Sequence, residues 1–230
     1  MRLLVDTPRG AVRAIAVVLH GGRETSVAAV RSTQLAVLRM RPFVRSLRRS
    51  GQADGLAVAQ VRYGVRGWNG AQRSPVADVE QALDELAARF PGVPIALVGH
   101  SMGGRAAIYA AGHDGVRAVI GVAPWIEQRD PVRTLAGRRV LIAHGDRDRM
   151  TNPRASAAYA RAAEPYAESV TFVSIAGERH AMLRRARLWH ELSTGFVLGV
   201  LFDRRPEAGA TDDASRVLSG ALAGQPALVV

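Results

Sequence analysis

The chain has 230 residues, of which 48% are hydrophobic, and this length suits one sizeable core better than two. Its formal net charge is +11, and all 31 of its cationic side chains are arginine. The arginines are spread along the chain without a long basic run, so we interpret them as a solvated surface and expect no nucleic-acid partner. The chain has no cysteine, which excludes disulfides, thiolate chemistry and Cys-ligated metals.

The apolar segments of the chain are short. The N-terminus MRLLVDTPRG lacks the apolar stretch of a signal peptide, and the first apolar run, Ala14–Leu19, has the length of a strand. We therefore expect a cytoplasmic protein without stable membrane insertion. The oligomeric state is left open.

Short apolar runs bounded by Gly or Pro alternate with longer segments of helical periodicity. The runs predict strands at Arg13–His20, Gly55–Tyr63, Pro94–His100, Val116–Pro124, Arg139–Gly145 and Val170–Gly177. This alternation is typical of βα units around a buried sheet. We predict an α/β fold with a doubly wound, mostly parallel sheet and helices on both faces.

Three helices have recognisable starts. We predict one with Ser74 as its cap and a second with Thr151 or Asn152 as its cap, since a proline follows each in the first turn. A third is predicted after His180 and carries Leu183, Leu188 and Leu192.

The last 28 residues differ in composition from the rest. Residues 203–230 are a mixture rich in Ala, Gly and Asp with weak periodicity. We predict a single domain over residues 1–202, followed by a tail that is either weakly structured or a loosely docked helix.

The segment Gly99-His100-Ser101-Met102-Gly103 fits the pattern G-x-S-x-G. A predicted strand runs directly into Ser101 and an Ala-rich helical segment follows, which is the context that a nucleophile elbow requires. The helix N-terminus also places backbone amides near the serine oxygen, where they can face a developing oxyanion. The plainer alternative is a glycine-rich loop that happens to contain a hydroxyl.

A nucleophilic serine needs a base, and the base needs an orienting acid. Of six histidines, only His180 lies in the loop after the last predicted strand. Asp146 and Asp148 follow the strand before it, so either can supply the acid. Taken singly, any of these histidines is more often an ordinary core or surface residue, and the position of His180 is what favours catalysis.

Backbone donors for an oxyanion are expected near the end of an early strand. His20-Gly21-Gly22 ends the first predicted strand, and glycine lets the amides approach a substrate closely. Alone, this segment reads as a plain Gly-Gly turn.

Together these windows resemble the α/β-hydrolase superfamily: HGG at 20–22, GHSMGG at 99–104, HGDRD at 144–148 and GERH at 177–180. The resemblance implies a cofactor-free serine hydrolase without a metal, with Ser101 as nucleophile and His180 as base. It implies an oxyanion hole built from amides of Gly22 or Arg23 and Met102. For the acid we favour Asp148, because it lies further out in the loop and matches the Gly-x-x-Asp spacing of the superfamily.

The chain departs from the family pattern in two places. The stretch after the second predicted strand is RYGVRGWNG, in which Trp68 either lines the substrate pocket or only packs. The segment between the predicted strands ending at Pro124 and starting at Arg139 is too short for a large cap domain. We therefore expect an open site with Trp125 near its rim.

The predicted function is hydrolysis of a carboxylic ester or thioester of a small molecule through an acyl-enzyme, with short or medium acyl groups preferred. Two alternatives stay open. One is an acyltransferase or perhydrolase that uses the same triad. The other is a non-catalytic binding module that retains the fold, since fold alone does not establish activity.

Overall fold

The computed structural model describes residues 1–206 and 209–230. In the described residues, eight strands form one sheet in the order β1-β3-β2-β4-β5-β6-β7-β8. The strands are Arg2–Asp6 (β1), Ala14–Leu19 (β2), Leu56–Arg62 (β3), Ile95–His100 (β4), Val116–Val122 (β5), Arg139–Gly145 (β6), Ser169–Ile175 (β7) and Ala227–Val229 (β8). β1 pairs with β3 antiparallel, and the other neighbours pair in parallel.

Helices cover both faces of this sheet. They are Leu35–Arg39 (α1), Arg41–Gly51 (α2), Ser74–Arg89 (α3), Met102–Ala110 (α4), Pro153–Ala163 (α5), Ala186–Phe202 (α6) and Asp212–Leu222 (α7). Helices α3, α4 and α5 pack into one core layer, whereas α2, α6 and α7 pack into the other. The predicted doubly wound α/β fold is therefore confirmed.

Strand β2 explains why the central strands are continuous apolar runs. Ile15, Val17 and Leu19 enter one core layer, and Ala14, Ala16 and Val18 enter the other. Side chains alternate between the faces of a strand, so a sheet covered on both faces needs apolar residues at every position. All six predicted strands are present in the structure.

The two edge strands were not predicted. β1 is only partly buried, with Arg2 and Leu4 exposed, so its sequence lacks the uninterrupted apolar run of the inner strands. β8 has three residues and pairs only with β7 among the described strands. Edge strands of this kind carry a weak sequence signal, because packing against a neighbour decides their conformation.

Two helix details differ from prediction. Ser74 is the first residue of α3, and Arg73 occupies the capping position, so the assignment of Ser74 as cap is wrong; its hydroxyl instead accepts from Asn69. Leu183 lies before α6 and is exposed, so it is not on the apolar face of that helix. Asn152 does cap α5, its side chain accepting from the amides of Arg154 and Ala155.

The C-terminal segment contains more structure than its composition indicated. Helix α7 buries four apolar residues in the core layer of α6, namely Ala214, Val217, Leu218 and Ala221. The helices approach closely because α6 has Gly195 at the crossing, where a Cβ atom would overlap the Leu218 side chain. The division of the chain at residue 202 stays a prediction.

The connection between β5 and β6 is short. Residues 123–138 contain a single 3₁₀ turn, Arg133–Leu135, and no cap domain, as predicted. Within the described parts of the chain, no helix is both long enough and apolar enough to cross a membrane.

Candidate active site

The carboxyl ends of the parallel strands bring four chain segments to one edge of the sheet. Strand β2 leads into Gly21 and Gly22, β4 into Ser101, β6 into Asp148 and β7 into His180. Ligand sites of open α/β sheets lie at this edge.

Ser101 occupies a sharp turn between β4 and α4. Its φ of 55° and ψ of −120° lie outside the regions that non-glycine residues favour. A Cβ atom at Gly99 would overlap the carbonyl of Gly103, and one at Gly103 would overlap the carbonyls that end β2. Both glycines are therefore sterically required, which explains the spacing of the G-x-S-x-G motif.

His180 and Asp148 form a direct hydrogen bond. His180 Nδ1 lies 2.8 Å from Asp148 Oδ2, although the two residues are 32 positions apart in sequence. The other oxygen of the carboxylate accepts from the backbone amides of Met150, at 2.8 Å, and Thr151, at 3.1 Å. The Thr151 hydroxyl donates to Oδ2 at 2.8 Å. The carboxylate is thus fixed from several directions.

These donors keep Asp148 ionised. Burial alone would raise the pKa of the carboxyl, but hydrogen bonds from His144, His180, Thr151 and Met150 outweigh it. The pKa of Asp148 is therefore held far below its ordinary value.

Asp146, the other candidate, has a different partner. Its side chain is exposed, and Oδ1 accepts from the amide of Gly177 at 2.7 Å. This contact ties the loop after β6 to the loop after β7. The geometry thus brings Asp148 to His180 and leaves Asp146 on the surface.

Two histidines near this pair had no role in the sequence interpretation. His144 is fully buried, and its Nε2 lies 3.2 Å from Asp148 Oδ2. His100 Nε2 lies 3.2 Å from the carbonyl oxygen of His180. The sequence does carry a signal for both histidines. They lie at the ends of β6 and β4, where side chains reach the same sheet edge as Asp148 and His180.

His100 is held as a neutral ring. Burial is the main cause that lowers its pKa to about 3, and the nearby charges of His180 and Arg39 act in the same direction. Arg39 also donates to the carbonyl of Ala181 at 2.6 Å. The loop that carries His180 is therefore held at two successive carbonyls by side chains from β4 and α1.

The predicted oxyanion donors divide into two groups. Met102 begins α4, so its amide lies in the first turn, where N–H groups have no partner within the helix. A Cβ atom at Gly22 would overlap the Met102 side chain and the Arg66 carbonyl, which places Gly22 against Met102. The amide of Arg23, in contrast, donates to the Arg66 carbonyl at 2.8 Å, so the assignment of Arg23 as a donor is corrected.

Ser101 and His180 line one open cleft of about 270 Å³. Its other lining residues are Gly22, Arg23, Glu24, Met102, Trp125, Glu127, Met150 and Thr151. Trp125 thus lies in the cleft wall. Trp68 is 4% exposed and does not line the cleft. Of the two roles predicted for it, the structure therefore agrees with packing in the interior.

A buried arginine lies behind the wall of the cleft. The Arg105 guanidinium is 4.3 Å from the Trp68 ring centroid and 4.5 Å from that of Trp125, which are cation–π distances. It bonds Asp130 at 2.7 Å and Glu127 at 2.6 Å. One guanidinium therefore faces two carboxylates, of which Glu127 is half-exposed in the cleft. This cluster was not predicted from the sequence, because its members come from three separate segments.

Comparison with known proteins supports this fold. A model of the family described as serine aminopeptidase, S33, matches residues 10–140, which include Ser101 but end before Asp148 and His180. No curated protein sequence matches the chain.

Several solved structures are similar at low identity. Est1E from Butyrivibrio proteoclasticus is 18% identical with a TM-score of 0.64, over 88% of this chain and 94% of its own. XC6422 from Xanthomonas campestris, described as an α/β serine hydrolase without lid, is 20% identical with a TM-score of 0.55, over 79% and 81%. A puromycin-hydrolysing peptidase from Mycobacterium tuberculosis is 19% identical with a TM-score of 0.60, over 85% of this chain and 35% of its own.

At these identities the structures show a common fold and no more. The family model spans more than half of the chain, and its match includes the strained Ser101. The chain belongs to the S33 serine aminopeptidase family of the α/β-hydrolase superfamily.

Proposed function

We propose that the protein hydrolyses a carboxylic ester or thioester with Ser101 as nucleophile, His180 as general base and Asp148 as orienting acid. The observation that carries the proposal is the 2.8 Å contact between His180 Nδ1 and Asp148 Oδ2 beside the cleft that holds Ser101. An ionised Asp148 accepts from Nδ1, so the lone pair of His180 is on Nε2.

In the first half-reaction, Ser101 Oγ attacks the substrate carbonyl while His180 Nε2 takes its proton. The carbonyl oxygen becomes an oxyanion, which the amides of Gly22 and Met102 stabilise. The tetrahedral intermediate then breaks its bond to the leaving alkoxide or thiolate, which receives the proton from His180. The product is an acyl-Ser101 ester.

In the second half-reaction, His180 removes a proton from water, and the resulting hydroxide attacks the acyl carbonyl. Collapse of the second intermediate returns the proton to Ser101 and releases the acid. An acyltransferase or perhydrolase would differ only here, because an alcohol, thiol or peroxide would replace the water.

The form of the cleft supports a small acyl group. Its volume of about 270 Å³ is below the 300–1,000 Å³ that is usual for ligand pockets, and no cap domain extends it. We expect kcat/KM on p-nitrophenyl esters to peak at short or medium chains. A steady rise to long chains would contradict this proposal.

Hydrolysis of p-nitrophenyl butyrate tests the activity directly. The wild-type protein should release nitrophenolate, and Ser101→Ala should lose nearly all of this activity while its circular dichroism stays native. Adding hydroxylamine or hydrogen peroxide as an acceptor separates transfer from hydrolysis. A folded wild-type protein without turnover would favour the non-catalytic binding module.

A second candidate is hydrolysis of an amide or ester whose acyl part carries an amino group. Glu127 favours it, because two carboxylates share Arg105 and leave an excess negative charge at the cleft wall. One similar structure is described as a peptidase. The test compares an aminoacyl p-nitroanilide with its N-acetylated form, in wild type and in Glu127→Gln. A preference for the free amine that Glu127→Gln removes would support this candidate.

The partner in either case is a small molecule. We propose that the protein acts in the cytoplasm and binds no nucleic acid specifically. Retention on duplex DNA near physiological salt with a steep salt dependence would overturn the latter.

A further inference from the structure

The carboxylate oxygen that faces His180 is shared with a second histidine. Asp148 Oδ2 lies 2.8 Å from His180 Nδ1 and 3.2 Å from His144 Nε2. His144 is fully buried near the end of β6, and its Nδ1 lies 2.8 Å from the hydroxyl of Ser156 on α5. The mechanism above uses neither His144 nor Ser156.

These contacts select one form of the His144 ring. A carboxylate can only accept, so Nε2 carries the proton toward Asp148. Nδ1 then accepts from the Ser156 hydroxyl. The Nε2–H of His144 therefore faces Asp148 Oδ2 at 3.2 Å and the Thr151 hydroxyl oxygen at 3.1 Å. That hydroxyl itself donates to Oδ2, so both contacts of the N–H lead to the same carboxylate oxygen.

We propose that His144 is a positioning residue that limits the basicity of His180. Its N–H faces the Asp148 carboxylate and thereby weakens the attraction of that carboxylate for the His180 imidazolium. Each donor to Oδ2 lowers the negative potential that the carboxylate presents to the others. With His144 in place, Asp148 stabilises the His180 imidazolium less than a carboxylate bonded to His180 alone would. The role in catalysis rests on the proposed function.

The surroundings of the two rings leave this effect to Asp148. The His180 ring faces Asp148, Thr151 and the ring of His100, which burial keeps neutral with a pKa of about 3. The His144 ring faces Asp148, Ser156 and the Thr151 hydroxyl. Other charged groups lie near His180: Arg39 bonds the carbonyl of Ala181, and Arg23, Glu24 and Glu127 line the same cleft. A substitution at His144 leaves all of them in place, so its effect on His180 passes through Asp148.

The test is an NMR titration of the His180 imidazole in histidine-labelled protein, assigned with a His180→Gln variant. In His144→Leu, which removes the donor, we expect the pKa of His180 to rise by about one pH unit. His144→Gln keeps an N–H donor on a side chain of similar length and should retain the wild-type value. Ser156→Ala disturbs the same buried cluster without removing a donor to Asp148, and it should also leave the pKa of His180 in place.

An unchanged or lower pKa of His180 in His144→Leu would overturn the proposal. So would an equal rise in Ser156→Ala, because loosening of the cluster would then explain both. If His144→Leu does not fold, His144→Asn replaces it, since its shorter amide can still pair with Ser156 but falls short of Asp148. The same rise is expected there.

The titration requires no turnover, so it separates the two proposals. A protein without esterase activity whose His180 still responds to His144→Leu would contradict only the proposed function. An active enzyme whose His180 does not respond would contradict only the role of His144.

Discussion

The carbonyl oxygen of His180 lies 3.2 Å from Nε2 of His100, and the two rings contact each other with centroids 4.7 Å apart. His100 is the residue immediately before Ser101, so the strand that presents the serine also holds the backbone of the histidine. The His180 loop is therefore bonded to the strand before Ser101 as well as to Asp148.

Removal of that contact should lower turnover. We expect His100→Phe to reduce kcat by about 10- to 100-fold with little change in KM, because a small misplacement of His180 affects the chemical step. His100→Gln, which keeps an N–H donor, should recover part of the loss. Steady-state kinetics on p-nitrophenyl butyrate measure both. A purely structural role would predict no recovery in His100→Gln.

The two aspartates after β6 should differ strongly in catalysis. Asp148→Asn should lower kcat by about 10³- to 10⁴-fold, because an amide cannot hold the His180 tautomer that the reaction needs. Asp146→Asn, which alters only the surface contact to Gly177, should cost about tenfold or less.

Both aspartate variants should unfold cooperatively near the wild-type temperature, so that their kinetics can be compared. The reverse ranking would show that Asp148 is not the acid, even if Ser101 proves to be the nucleophile.

Gly22 should tolerate no side chain. A Cβ atom there would overlap Met102 and the Arg66 carbonyl, so Gly22→Ala should displace a proposed oxyanion donor and cost about 1–3 kcal/mol of stability. We expect kcat to fall by about 10²-fold or more. Gly112→Ala is the matched control, since a Cβ atom at Gly112 meets nothing within 4 Å. Equal activity of the two variants would argue against Gly22 as a donor.

Acid should destabilise the fold in a way that depends on His100. Its pKa is about 3 in the folded protein and 6.5 ordinarily, so the unfolded chain binds a proton that the folded chain does not. Stability therefore falls as the pH drops from about 6.5 toward 3, by up to about 1.4 kcal/mol per pH unit for this one group. Burial lowers the pKa of His20 and His190 in the same direction.

Urea unfolding between pH 7 and pH 4 measures this dependence. His100→Phe cannot take up the proton, so its free energy of unfolding should depend less steeply on pH than that of the wild type. Asp148, whose lowered pKa costs stability as the pH approaches its ordinary value of 3.8, is present in both proteins, so the comparison of their slopes isolates His100. Parallel slopes for the two proteins would contradict the account of His100.

The sequence predicted the parts of the fold that burial determines. Strand β2 is apolar at every position because both of its faces are covered, and such runs are visible without a structure. β1 and β8 lie at the sheet edges, where a partly exposed strand resembles a loop. The exposed Leu183 was placed on a helix because periodicity alone does not locate a helix start.

Chain order was enough to predict which segments meet at one sheet edge, and Ser101 and His180 do line the same cleft. Contacts between distant segments were not predictable. Three such contacts depend on how the chain packs. The amide of Arg23 donates to the Arg66 carbonyl, His100 bonds the carbonyl of His180, and Trp68 is buried on Arg105. Each of these contacts joins residues far apart in sequence, so no local sequence pattern predicts it.

Covalent labelling shows directly whether Ser101 is the nucleophile of the chain. Intact protein treated with a fluorophosphonate should gain one phosphonyl group, and peptide mass spectrometry should locate it on Ser101. Ser101→Ala should gain none, and Asp148→Asn should react far more slowly than Asp146→Asn. A folded wild-type protein that stays unlabelled, or carries the group on another residue, would contradict the assignment of Ser101 as the nucleophile.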